Sequence, residues 1–259
     1  GFDPDYPVAL ADMTALDRFA LASFNDLVKT CREAYDRYEF HGAYRAIYNF
    51  CVTDMSNFYL DIIKDRLYCG DDAGRASAQS ALYTILDGMT RLLAPILAFT
   101  SQEIWAAMPH DSSADGECVL FNDIPGYRAD LALSDEELHR WGLLVSLRDA
   151  VNKALENARA AGVFKKAQDT ELTISVAEEK GADFLRSADL AALCIVSKVD
   201  VTTQPIEGER AEDCLIPCTI AVQLSQAPKC PRCWNHDGHI GAPGHHAELC
   251  DRCAAVLGE

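Results

Sequence analysis

Four cysteines near the end of the chain, Cys230-x2-Cys233-x16-Cys250-x2-Cys253, carry its most specific chemistry. Two Cys-x-x-Cys pairs at this separation let two tight turns present four thiolates as a tetrahedron. That geometry suits Zn2+, whose filled d shell imposes no other. Four protein sulfurs leave no open coordination position, so the expectation is one structural zinc without a catalytic role. Two disulfides are the alternative. They fit poorly with a chain whose Cys31, Cys51 and Cys194 fall at apolar-periodic positions and behave as small hydrophobes, which points to a reducing compartment. His236, His239, His245 and His246 lie between the two pairs and are read as loop residues rather than ligands.

Beside the knuckle stand Arg232 and Trp234, flanking Cys233. A guanidinium and an indole are the groups onto which unstacked nucleic-acid bases can be laid; the alternative for Trp234 is packing on the zinc module's own small core. From Arg148 to Lys166 five basic residues (Arg148, Lys153, Arg159, Lys165, Lys166) stand against two acidic ones, in a chain of net charge −17. They read either as an ordinary solvated helix face or as a local phosphate-binding patch, with Lys165 and Lys166 the preferred contacts. The overall charge argues against indiscriminate nucleic-acid binding, so any such contact is local and selected by shape.

Catalytic residues are not expected, since no Gly-rich phosphate loop and no nucleophile constellation occurs. His239-Ile240-Gly241 imitates part of a nucleotide-binding signature, but Ala242 follows and the triplet lies within the zinc module.

The elements that must hold these residues are mostly helical. Tyr44, Ile47, Cys51, Met55, Phe58 and Ile62 recur every three to four residues, which predicts one uninterrupted helix from Ala43 to Leu67, with Tyr44, Tyr48, Phe58 and Tyr59 packed in or against the core. Leu16, Ala20, Phe24, Leu27, Cys31, Ala34 and Tyr38 predict a preceding helix capped by Asp12 and turned back at Glu39-Phe40. A third runs through Ala78, Leu82, Ile85, Met89 and Leu92 until Pro95 stops it, and Thr100-Ser101-Gln102-Glu103 has the spacing of a capping box for a short fourth helix with Ile104 and Trp105. Residues 108–130 should be surface loop, extended only at Cys118 to Phe121.

Ser134-Asp135-Glu136-Glu137 opens another helix that ends at Gly162. The period then drops to two, with strands at Leu172 to Val176, Leu193 to Val201 and Leu215 to Leu224 around a small helix near Asp183, in an antiparallel or mixed sheet. The fold class is mainly α with a small α+β part. Its divisions are an antiparallel helical bundle (1–130), a long helix with a small α+β junction domain (131–228) and a four-Cys zinc module (229–259).

At 259 residues, 49% hydrophobic and 24% charged, the composition is that of a globular protein, and no apolar run reaches the ~18 residues that a membrane span needs. Gly1 to Pro7 resembles neither an initiation nor a signal segment, and the chain is read as a piece of a longer protein.

Three stretches resemble the C-terminal part of bacterial isoleucyl-tRNA synthetases: YEFHGAYRAIYNFCVTDMSNFYLDIIKDRLY (Tyr38 to Tyr68), LLAPILAFTSQEIW (Leu92 to Trp105), and KCPRCW (Lys229 to Trp234) with LCDRC (Leu249 to Cys253). The first two are similar to the anticodon-binding helical domain that the isoleucyl, valyl, leucyl and methionyl enzymes share; the third is similar to the isoleucyl member's terminal zinc module. The resemblance implies recognition of the anticodon stem-loop of isoleucine tRNA by a cytoplasmic monomer, with Arg232 and Trp234 facing the anticodon. ATP-dependent ligase chemistry would reside in a catalytic domain whose His-Ile-Gly-His and Lys-Met-Ser-Lys-Ser type motifs do not occur here. A repair-glycosylase type of DNA-binding finger and a helical protein-interaction scaffold are the rival classes. The former needs a Pro-Glu amino terminus and carries no such bundle.

Overall fold

The computed structural model describes residues 2–110, 115–241 and 246–258, and divides the chain into two compact units at Ser134/Asp135. In the first unit, α1 (Ala15–Asp36) turns at Tyr38, whose φ of 56° closes the corner, into α2 (Phe40–Asn49). A π-helical segment, Phe50–Tyr59, leads into α3 (Leu60–Cys69). Next come α4 (Asp72–Leu93), ending just before Pro95, and α5 (Ala98–Ala107). Ala20, Phe24, Leu27, Cys31 and Ala34 of α1 form one continuous core with Ile47, Phe50, Met55 and Tyr59, and with Ala78, Ala81, Ile85 and Leu92 of α4.

Several expectations change here. Thr14, not Asp12, caps α1: its hydroxyl accepts the Asp17 N–H at 3.3 Å while Asp12 sits in a preceding 3-10 turn. The long helix is continuous but not uniformly α, for the Leu60 N–H reaches back five residues to the Met55 carbonyl. Phe50 follows Ala43 and Ile47 at ordinary helical spacing and takes the core place expected of Cys51, and the widened turns then put the next buried positions at Met55 and Tyr59. Tyr59 is buried and Phe58 packs beside the core, whereas Tyr44 (58% exposed) and Tyr48 (56% exposed) stand in solvent. Helix α5 starts before Thr100 with no side-chain cap, which leaves Ser101 buried inside it, and Val119–Phe121 is a 3-10 turn rather than a strand. Gly88 lies in mid-helix because a Cβ there would come within 2.5 Å of the Phe24 ring.

A polar centre sits within this bundle. Asp17 is fully buried and accepts from Tyr59 Oη at 2.7 Å, from Ser77 Oγ at 2.5 Å and from the Arg66 guanidinium. Its charge is thereby paired and hydrogen-bonded, the condition on which a buried carboxylate is tolerated. Asn25, also buried, exchanges two 2.8 Å bonds with the Arg128 backbone and pins the surface segment to α1.

The second unit opens with α6 (Asp135–Ala160), which stops just before Gly162 at φ 78°. Strand β1 (Thr170–Val176) pairs parallel with β2 (Lys198–Thr202) and antiparallel with β4 (Cys218–Leu224), which pairs antiparallel with β3 (Glu209–Ala211). The sheet is mixed, in the order β2-β1-β4-β3. Between β1 and β2 lie α7 (Glu179–Arg186) and α8 (Leu190–Cys194). Thus the first half of the strand expected at Leu193 to Val201 is a helix end, turned out by Ile195 in the left-handed region. Leu172, Ile174 and Val176 are buried on one face of β1, Leu185, Leu193 and Ile220 are buried on the neighbouring elements, and α9 (Asp251–Leu257) begins directly after Cys250.

Candidate metal centre and nucleic-acid interface

The four cysteines meet. Cys230, Cys233, Cys250 and Cys253 are all buried, and their sulfurs lie within 4.8 Å of one another. A tight turn forms the first knuckle: Trp234 N donates to Cys230 O and Cys230 N to Asn235 O, both at 2.9 Å. Cys250 and Cys253 enter from the start of α9, where Ala254 N closes the first turn on Cys250 O.

The residues fit a metal on geometry. A tetrahedron with Zn–S arms of about 2.3 Å has edges of about 3.8 Å, and the Cys233 and Cys250 sulfurs stand 3.7 Å apart. All eleven cysteines of the chain are free, so the disulfide alternative is set aside. Burial raises the Cys230 thiol, but backbone N–H groups of Cys233, Cys250 and Arg232 directed at its sulfur outweigh that and lower its pKa, favouring the thiolate a metal needs. An S4 set of this kind suits one structural zinc, which folds the knuckles together.

The histidines between the pairs make other bonds. His236 Nδ1 lies 2.6 Å from Ala227 O and its Nε2 lies 3.2 Å from Asp169 Oδ1, while its backbone N–H donates to Ser197 Oγ at 2.7 Å. Lys229 Nζ meets the same Asp169 oxygen at 2.5 Å. Lys229, and after it His236, hold the Asp169 carboxyl below the usual carboxylate range against the opposing effect of burial. Asp169, Ser197 and His236 thus fasten the knuckle to the ends of β1 and β2. This tie has no signature in the spacing, because its partners come from separate stretches of chain. His239 pairs with Asp251 at 2.7 Å, and His245 lies outside the described residues.

Trp234 is not part of the module's core. Its ring is 55% exposed and its backbone is left-handed, at φ 67°. Lys166 Nζ stands 5.4 Å from the ring centroid, which brings two of the sequence-predicted contact residues together. Lys165 is exposed beside Lys166, and Arg232 is half-buried on the same knuckle. Of the basic run, Lys153 and Arg159 are exposed, with the Arg159 guanidinium 5.4 Å over the Phe164 ring. Arg148 leaves it: only 7% exposed, it donates through Nε to Leu193 O at 2.9 Å and holds α8 against α6.

Known proteins agree with this layout. Residues 228–256 match the family described as a zinc finger found in FPG and IleRS. Isoleucine–tRNA ligase of Syntrophotalea carbinolica is 40% identical over 99% of this chain, that of Coxiella burnetii (strain CbuG_Q212) 40% over 98%, and that of Geobacter sulfurreducens 38% over 99%. The chain spans only 28%, 27% and 28% of those relatives' lengths. Residues 17–174, more than half of the sequence, match the anticodon-binding domain of tRNA ligase, and the chain belongs to that family.

Proposed function

We propose that this chain is the anticodon-recognising portion of an isoleucine–tRNA ligase. It would hold the anticodon stem-loop of isoleucine tRNA while the acceptor end reaches a catalytic domain elsewhere in the full protein. The observation that carries the reading is the exposed indole of Trp234, set on a four-sulfur knuckle with Lys166 against its ring. An aromatic platform with cations beside it takes single-stranded bases by stacking, and phosphates by charge. Arg232, Trp234, Lys165 and Lys166 are the proposed tRNA contacts, and Cys230, Cys233, Cys250 and Cys253 the zinc ligands.

In this reading the chain has three parts: the bundle (1–130), the long helix with the junction domain (131–228) and the zinc module (229–259). It acts as a cytoplasmic monomer and binds neither DNA nor membrane. ATP and the attachment of isoleucine belong to the missing catalytic part. No described helix is long and apolar enough to cross a membrane.

Titration of the 259-residue chain with the isoleucine anticodon stem-loop, a stem-loop of changed anticodon and a duplex DNA tests the reading. Preference for the first supports it. Equal binding of all three would reduce the chain to a passive basic surface, and preference for the duplex would favour the repair-type finger. Isoleucine-dependent pyrophosphate exchange should stay at background.

A further inference from the structure

Away from the four-cysteine centre, two other cysteines meet at the start of β4. Cys214 and Cys218 are 7% and 8% exposed, and their thiols share a hydrogen bond. Three donors converge on the Cys214 sulfur: the Cys218 thiol, the Ile216 backbone N–H and the Ser146 hydroxyl, whose Oγ lies 3.7 Å away. Ser146 Oγ in turn accepts the Leu215 N–H at 3.0 Å, which turns its own proton toward the sulfur. A sulfur surrounded by donors is arranged for negative charge.

We propose that Cys214 and Cys218 form a second thiol site, in which Cys214 attacks hydroperoxides and Cys218 resolves the product to a Cys214–Cys218 disulfide. The Cys214 thiolate attacks the terminal oxygen of the O–O bond, which breaks to release hydroxide from hydrogen peroxide or alkoxide from an organic hydroperoxide, and Cys214 becomes a sulfenic acid. Sulfur is oxidised by two electrons and the peroxide reduced. The Cys218 thiol then attacks the sulfenic sulfur, forming the S–S bond, and its proton leaves with the hydroxyl as water.

Electrostatics agree with these roles. The Cys218 hydrogen bond, ahead of the Ile216 and Ser146 donors, outweighs burial and the Asp149 carboxylate and brings the Cys214 thiol down to about 6. Cys218 is held protonated by the same bond. Cys31 and Cys194 behave in the opposite way, since burial lifts Cys31 to about 11 and, as the largest of several causes, Cys194 to about 12.

Access and consequence come from one feature. Leu215, Ile216 and Pro217, the residues between the two sulfurs, form a wall of an open groove of about 950 Å³ that Leu143, Val176 and Phe184 also line. Leu215 is 64% exposed there, on the loop that joins the two sulfurs, and this side is the proposed route for a small peroxide. Closing the disulfide would tighten the five-residue loop at the groove's wall and fix the first residue of β4, Cys218, which pairs with Val176 and Ala211.

The zinc-loaded chain is exposed to hydrogen peroxide, denatured in an alkylating agent and mapped by peptide mass spectrometry. The expected result is a Cys214–Cys218 cross-link at doses that leave Cys31 and Cys194 fully alkylated. With Cys218→Ser, a sulfenic-acid probe should label Cys214, and Ser146→Ala should slow that labelling several-fold. Wild-type Cys214 and Cys218 remaining as alkylatable as Cys31 would overturn the proposal, as would oxidation that begins at Cys218. Because cross-linking is read on the wild-type chain, a variant that fails to fold leaves the test intact.

Discussion

Lys166 Nζ stands 5.4 Å from the centroid of the Trp234 ring, so that the last residue of the Arg148–Lys166 basic run and the aromatic residue of the zinc knuckle form one cation–π contact. Such a pair at a partly exposed site contributes about 0.5–1 kcal/mol and limits the ring's rotamers. Replacing Trp234 with Ala should weaken binding of the isoleucine anticodon stem-loop by ~1–3 kcal/mol, the loss of one stacked base. Lys166→Ala should cost less and lower the salt slope by about one. It should cost less again in a Trp234→Ala background, because part of its effect passes through the ring. Titrations at three salt concentrations measure all four corners of the cycle. Full additivity would mean that the two residues act separately.

Elemental analysis should find one zinc per chain. Cys250→Ser should lose it and release the fluorescence environment of Trp234, while helical circular dichroism stays within a few per cent, since the bundle core draws on no residue of the finger. A variant that keeps its metal would remove Cys250 from the ligand set.

Asp17→Ala should destabilise the chain by about 3–5 kcal/mol in urea, because it leaves the Arg66 charge without its buried partner and strands Tyr59 and Ser77. Asp17→Asn should cost less, as it keeps an acceptor in place. A loss below about 1 kcal/mol for the alanine variant would show that water re-solvates the site.

The bundle should weaken in alkali through Tyr35. Burial, then the neighbouring Cys31, raises its hydroxyl to about 12, and that hydroxyl donates to Leu92 O at 2.6 Å. A folded pKa above the unfolded value of about 10 means that the unfolded chain releases this proton first. The contribution is therefore complete below pH ~10 and is lost as pH rises toward 12. Tyrosinate absorbance followed alongside circular dichroism locates the step, and Tyr35→Phe should flatten it.

The four-cysteine site was legible because its information is local: two short spacings constrain two turns, and a metal explains both. The bundle was legible for a similar reason, since Phe24, Leu27, Cys31 and Ile85 follow the period of the face they bury. Departures came where distant groups decide. Arg148 looked like part of a basic face, but the Leu193 carbonyl across the packing draws it inward. Tyr44 matched the apolar period and is exposed, because α2 turns Ala43 and Ile47, followed by Phe50, into the core instead. Strand β3 has only three residues, too few for alternation to register. Asp169, Ser197 and His236 come from three stretches that only the folded sheet assembles.

The strand order β2-β1-β4-β3 also bears on the sequence of events during folding. The register joins Thr170 to Leu224 and Val176 to Cys218, so β1 waits for strands made much later in the chain. The helices of the first unit turn back on near neighbours, as at Tyr38 and Gly70. Chains rich in local pairings collapse to their native form far faster than those that must first close long loops. A nascent molecule therefore finishes its bundle early, holds an incomplete sheet with β1 half-paired, and gains its metal last, when Cys250 and Cys253 join the first knuckle. Pulse-labelled hydrogen exchange would register that order as early protection in α1 and late protection in β1.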